Sequence, residues 1–389
     1  MSTRYGAVHA TERHESALVR HTFLTVAILL SWGCGSTTSP QPRSDAVVVT
    51  GLENGRAALL DGQSLKLLRF VGPALYSSGY ASISPDSSLL LLSGQNAAGD
   101  NAYVVALNTA TFELEWSIRF DRLTGAGVTR LFLPQIVGLS PDRRRLYVFP
   151  VDSADLAGIA AIDVAAHKII AFRALRVFAT RILVFRGNAA TPKGTIAVTA
   201  TRSAASSAKP NAVFLLTPHL AIVDSIPVPT GAMGAYDAVL SADETQMSVL
   251  APPFLSLLDV GARSVTTTVA ASLPAGLLSN GIASAFYHVD GGEAMLPDAP
   301  DHFSEYAGNL TSVRHLSLIG AASTGGVGRA RAVAVSATGT TAFVATGSLP
   351  TSPNAQKAAI AQYDLGTGRR IRTSSLGQFG LSLRVFAFP

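Results

Sequence analysis

Apolar residues along this chain come in short runs, many of them β-branched, and each run is closed by a polar turn former. Two polar phrases recur between the runs. One is Ser-x-Asp, at Ser84-Pro85-Asp86, Ser140-Pro141-Asp142 and Ser241-Ala242-Asp243, with Ser336-Ala337-Thr338 as a fourth version. Proline presets φ and aspartate bonds nearby backbone, so each phrase predicts a tight turn between two strands. The other is an Asp or small polar residue directly after an apolar run, at Asp61, Asn108, Asp163, Asp259 and Asp364, with weaker copies at Thr217 and Ala307. Outside the N-terminal segment, no window repeats apolar residues at i, i+3 and i+4 without a turn former breaking it, so strands are expected and helices are not.

The second phrase falls at positions 61, 108, 163, 217, 259, 307 and 364, with separations of 47, 55, 54, 42, 48 and 57 residues. Seven copies at a period near fifty imply a repeat architecture. Each unit holds four strands, a to d, with Ser-x-Asp joining a to b and the second phrase joining c to d. In the second unit these fall at residues 81–84, 89–93, 102–107 and 112–119. In the first unit b, c and d fall at 46–50, 56–60 and 65–70, and no strand a precedes them. The last unit ends near residue 375, yet Leu381-Ser382-Leu383-Arg384-Val385-Phe386-Ala387-Phe388 follows with strand-like alternation. Four-stranded units repeated radially are propeller blades. The expected fold is therefore all-β, a seven-bladed β-propeller of four-stranded antiparallel blades. The C-terminal strand joins the first blade and closes the ring, which removes an open edge.

Composition fits strands buried between stacked sheets. Hydrophobic residues make up 48% and charged residues 14%. Residues 22–32 form an apolar stretch ending at Gly33-Cys34, half of what crosses a bilayer, so residues 1–33 read as a signal peptide. Gly33-Cys34 resembles the end of a bacterial lipoprotein signal, which implies lipidation of Cys34, the one cysteine in the chain. Residues 34–45 read as a flexible tether, rich in Ser, Thr and Pro, and 46–389 as the propeller. The expected address is the bacterial cell envelope, lipid-anchored; the alternative is an ordinary leader and a periplasmic or secreted protein. Removing 1–33 leaves 27 basic and 23 acidic residues, a net charge of +4. The one basic run, Arg143-Arg144-Arg145, sits on an a–b turn and reads as a solvated turn. Without a basic stripe interleaved with aromatics, nucleic acid is not an expected partner.

Chemistry is sparse. The a–b and c–d turns share one end of the units, and the long b–c and d–a loops share the other. Residues leading into the a strands should ring the channel mouth at the loop end: Tyr80, Gln135, Arg181, Tyr236, Asp237 and Arg331, with Arg130 just upstream. Arginines beside an aspartate hold anionic or polyhydroxylated groups by charge-assisted hydrogen bonds, so these seven are the ligand-binding candidates. His167, His219, His288, His302 and His315 offer no pair at metal-ligand spacing, and Asp298, Asp301 and His302 read as a polar loop. Asp61, Asp163, Asp259 and Asp364 belong to separate units and read as turn formers. No metal, cofactor or catalytic set is expected.

The Ser-Pro-Asp and apolar-Asp phrases resemble those of the YVTN, lactonase-like and WD-repeat-like superfamily of seven-bladed propellers. The resemblance spans residues 46–388. It implies the fold, and an activity among binding scaffolds, lactone-hydrolysing enzymes and quinone-dependent dehydrogenases. The last group uses tryptophan motifs between blades, and after the leader only Trp116 remains. Two functions are carried forward: a monomeric scaffold binding a protein or glycan partner in the envelope, and a lactonase-like hydrolase working at the channel mouth.

Overall fold

A computed structural model describes residues 46–76, 80–99, 101–128, 134–150, 158–175, 177–201, 212–229, 235, 237–251, 253–270, 274–279, 285–290, 302–310, 313–317, 330–347 and 357–388. The leader, the tether and Cys34 lie outside the described residues.

The first strands are β1 (Ala46–Leu52), β2 (Ala57–Asp61) and β3 (Leu67–Val71). Five sheets of four strands follow. The first holds β4 (Ala81–Ile83), β5 (Leu89–Gln95), β6 (Ala102–Asn108) and β7 (Leu114–Arg119). The second holds β8 (Pro134–Leu139), β9 (Arg145–Pro150), β10 (Gly158–Asp163) and β11 (Lys168–Ala174). The third holds β12 (Phe178–Val184), β13 (Ile196–Thr201), β14 (Ala212–Leu216) and β15 (Ile222–Pro227). The fourth holds β16 (Asp237–Leu240), β17 (Gln246–Ala251), β18 (Phe254–Asp259) and β19 (Ser264–Ala270). The fifth holds β20 (Pro274–Ser279), β21 (Ala285–Asp290), β22 (His302–Ala307) and β23 (Val313–Ser317). The chain ends with β24 (Ala330–Val335), β25 (Thr341–Thr346), β26 (Lys357–Asp364) and the 19-residue β27 (Arg370–Phe388).

Each four-stranded sheet is an antiparallel meander in chain order, as the repeat predicts. The remaining sheet has seven strands in the order β24-β25-β26-β27-β1-β2-β3. There β27 pairs twice. Arg370 to Phe379 lie against β26, while Gly380 to Phe388 lie against β1, with Ala46 opposite Phe388 and Val49 opposite Val385. No α-helix occurs among the described residues, which contain one short 3-10 turn at Phe120–Arg122. The fold is all-β and propeller-like.

The turn phrases do what their chemistry requires. Ser84 donates its hydroxyl to Asp86 at 2.6 Å and accepts the Leu89 N–H at 2.9 Å. Ser140 repeats this with Asp142 and Arg145, and Ser241 with Asp243 and Gln246. In the c–d turns, Asp61, Asn108, Asp163, Asp259 and Asp364 each accept the backbone N–H three residues on. These side-chain-to-backbone bonds hold the turns in shape, in keeping with the aspartates as turn formers. Both turns bend the chain through positive φ at a fixed position: Ser87, Arg143, Glu244 and Gly339 in the a–b turns, Leu65, Phe112, His167, Arg263 and Gly368 in the c–d turns. The two turn types lie at the same end of each sheet. Thr109, Val164, Val260 and Leu365 each donate a backbone N–H to a carbonyl of the a–b turn, at Ser88, Arg144, Thr245 and Thr340.

Phe112 corrects the expected start of strand d. It is a buried residue of the turn with φ 56°, and β7 begins at Leu114. Its side chain is bulky for the left-handed region and is held there by burial against Phe388 of β27.

The core lies between neighbouring sheets. Val104, Ile118, Leu139, Val148 and Ile162 join the β4–β7 and β8–β11 sheets. Tyr147, Ile159, Ile182 and Val198 join β8–β11 to β12–β15, and Val213, Ile226, Val249 and Leu258 join β12–β15 to β16–β19. Such strands are apolar on both faces, which accounts for the positive mean hydropathy; among the described residues no helix is long and apolar enough to cross a membrane. Turn-to-turn ties add to the packing. Arg143, read from sequence as a solvated turn residue, donates Nε and Nη2 to Asp86 of the preceding sheet at 2.9 and 2.7 Å. Glu244 accepts from the Arg186 side chain and from the Arg186 and Gly187 backbone of the sheet before it.

Candidate functional site

The sequence candidates divide in three. Arg130, Tyr236 and Cys34 lie outside the described residues. Gln135 and Arg331 have described backbones, in β8 and β24, but their side chains are not described. Tyr80, Arg181 and Asp237 are described in full.

Tyr80 does not join the arginine–aspartate set. Its half-buried ring packs against the apolar cluster of Tyr147, Ile159 and Ile182, and its carbonyl accepts the Ser93 N–H at 3.1 Å. Its role is packing between sheets.

Arg181 and Asp237 do come together. A register shift in β12 between Ala179 and Arg181 breaks the ladder locally, and such bulges re-aim a side chain. Beside it, the Thr180 hydroxyl donates to the Ala235 carbonyl at 2.7 Å, tying β12 to the segment that leads into β16. Arg181 Nε then lies 3.6 Å from Asp237 Oδ1. That oxygen also accepts the Ala238 N–H at 2.9 Å. The other oxygen, Oδ2, accepts from Arg384 Nη1 at 3.4 Å.

Arg384 was missed by sequence reasoning. It sits on the second half of β27 and reaches Asp237 only because that half pairs with β1. Its signal was the alternation of the tail, which puts Arg384 on the same face as Phe386 and Phe388.

The cluster is two guanidiniums around one carboxylate, a formal charge of +1. Asp237 is 1% exposed, Arg181 18% and Arg384 19%. Arg181 Nε is buried and has no hydrogen-bond partner. Desolvation pushes the Arg181 pKa below its ordinary value; Asp237 opposes the shift and Arg384 adds to it. Arg181 lines a cavity of about 200 Å³ whose other walls are largely apolar: Ile83, Val137, Leu139, Val184, Leu240 and Phe386. Ser82 also lines it, and its hydroxyl donates to the Val137 carbonyl at 2.9 Å. The walls come from β4, β8, β12, β16 and β27, first strands of successive sheets with the last strand of the chain.

Chemically, a cluster with a net positive charge attracts anions. Both carboxylate oxygens already face a cation, so Asp237 is not presented as a base. Among the described residues no three His, Cys, Asp or Glu side chains gather where they could hold a metal ion.

No family model matches the chain, and no curated protein matches it. Solved structures do. Hydrazine synthase of Kuenenia stuttgartiensis aligns with a TM-score of 0.51 and 16% identity over 76% of this chain and 78% of its own. Dihydro-heme d1 dehydrogenase NirN, solved in complex with DHE, aligns with a TM-score of 0.53 and 12% identity over 86% of this chain and 73% of its own. A functionally unknown protein from Desulfotomaculum acetoxidans aligns with a TM-score of 0.57 and 12% identity over 88% of this chain and 98% of its own. At these identities the likeness concerns fold alone, and what these neighbours share with the chain is an all-β fold of the β-propeller type.

Proposed function

We propose that the chain is a seven-bladed β-propeller that works as a binding scaffold and not as a hydrolase. Seven blades are supported by strand order. The seven-stranded sheet divides within β27 into one blade of β24–β26 with residues 370–379, and another of residues 380–388 with β1–β3. The second closes the ring.

The observation that carries the scaffold reading is the engagement of Asp237 by both Arg181 and Arg384. To activate water for lactone hydrolysis, Asp237 would have to take up a proton. A carboxylate flanked by two guanidiniums is instead a structural anion that orients them. The partner is a protein or glycan of the bacterial envelope, met at the end that carries the long b–c and d–a loops. A lipid at Cys34 and the tether of 34–45 would hold the ring at the membrane surface, as a monomer.

Two assays on the purified protein test this together. The protein is titrated against arrayed envelope glycans and against isolated envelope proteins, and a panel of lactones is assayed for ring opening. The expected result is saturable binding of one partner class with no turnover. Lactone turnover by the wild type that disappears in Asp237→Asn, with the variant still folded, would overturn the reading.

A further inference from the structure

We propose that the cavity beside Arg181 is a binding site for a small monocarboxylate whose apolar body is about the size of one aromatic ring. This goes beyond the scaffold reading and does not depend on which envelope partner the ring meets.

Three observations point to that chemistry. The first is charge. Among the described residues, Arg181, Arg384 and Asp237 carry a net charge of +1 in a largely desolvated cluster, and a single negative charge balances it. A dianion such as a phosphate monoester would overshoot it. The second is donor geometry. The guanidinium is a planar fork that matches a carboxylate; the Arg181 side chain lines the cavity and keeps 18% of its surface exposed, with its Nε turned toward Asp237. Desolvation, with Arg384 adding to it and Asp237 opposing it, holds the Arg181 pKa below its ordinary value.

The third is the wall. Ile83, Val137, Leu139, Val184, Leu240 and Phe386 offer no hydrogen bond to a ligand, and the Ser82 hydroxyl proton is already committed to Val137. A polyhydroxylated body would bury its hydroxyls unpaired, at roughly 1–3 kcal/mol each, so sugars are disfavoured here. The volume, about 200 Å³, sets the size: an apolar protein cavity of roughly 150 Å³ holds benzene. One ring with a short carboxylate arm fits.

The test uses phenylacetate as the probe, with phenethyl alcohol and phenethylamine as matched bodies lacking the anion. Binding is followed by calorimetric titration and by the rise in Tm with ligand concentration. The expected result is one site per chain for phenylacetate, with the alcohol and amine roughly tenfold weaker or worse. Leu240→Trp fills the cavity while leaving both arginines in the sequence and should abolish phenylacetate binding. Arg181→Met should bring acid and alcohol to equal affinity. Equal binding of acid and alcohol by the wild type, no binding of phenylacetate, or unchanged phenylacetate affinity in Leu240→Trp would each overturn the proposal. If Arg181→Met does not fold, the wild-type ligand series and Leu240→Trp still decide it.

Discussion

Phe112 and Phe388 meet edge to face, with ring centroids 5.6 Å apart and planes inclined at 75°. One ring belongs to the c–d turn of the β4–β7 sheet and the other to the far end of β27. Both are buried, in the cluster that also holds Val48, Leu90 and Leu107. The contact thus joins the end of the chain to the sheet beside the one it completes. Phe112→Ala and Phe388→Ala should each cost about 3–5 kcal/mol. The double variant should reveal a coupling of about 0.5–1.5 kcal/mol. Urea denaturation of the four proteins measures it; strict additivity would mean that the ring pair adds nothing beyond burial.

The charged cluster makes an asymmetric prediction. Asp237→Asn leaves two poorly hydrated guanidiniums facing each other and should destabilise by about 3–5 kcal/mol. Arg384→Met leaves the Arg181–Asp237 pair neutral and keeps the apolar stem, so its cost should be clearly smaller. Urea midpoints at neutral pH rank the two. Equal losses would show that Arg384 contributes as much as the carboxylate it touches.

Acid should loosen the turn ties. Burial raises the Asp86 pKa, but the hydroxyls of Ser84 and Ser88 and the Arg143 guanidinium outweigh it and hold the carboxyl well below its usual range. A depressed folded pKa means that the stabilisation is complete above the unfolded value of about 4 and fades as pH falls below it. The Tm of the wild type should therefore be flat between about pH 7 and 5 and drop below. Asp86→Asn should lower Tm at neutral pH and shallow that drop. An unchanged acid limb in the variant would assign the pH sensitivity to other carboxylates.

The left-handed turn positions can be probed at Gly339, where φ is 72°. A Cβ there costs about 1–2 kcal/mol, so Gly339→Ala should lower the urea midpoint. Ser87 occupies the matching position of another a–b turn with φ 59°, and Ser87→Gly should shift the midpoint upward or leave it level, since relief of strain is partly offset by a more flexible unfolded chain. A rise in Gly339→Ala would contradict the turn assignment.

Local chemistry made the strands legible. A Ser-x-Asp turn carries its own hydrogen bonds within a few residues, so the pattern that predicts it is also what folds it. The pairing of Arg181 with Asp237 was legible to the same degree, because both stand at matching places in adjacent units. Arg384 was not. Its partner is 147 residues away, and nothing near it in sequence encodes the register that brings it there. Phe112 misled for a related reason: Thr111-Phe112-Glu113-Leu114 alternates like a strand, while the buried contact with Phe388 holds it in the turn. The cavity walls were invisible, since each wall residue looks like any other strand residue until the first strands of several sheets face one another.

The double pairing of β27 also sets an order of events. The sheet begun by β1, β2 and β3 lacks one neighbour until residues 380–388 have been synthesised, long after β1 itself. Until then Val47, Val48 and Val49 sit on a strand with an unfilled edge, and the contact between Ala46 and Phe388 has nearly the greatest sequence separation the chain allows. Chain closure of that span is slow, and unpaired strand edges invite aggregation meanwhile. A chain built this way cannot finish folding as it emerges. β1 keeps an open edge until residues 380–388 are laid against it.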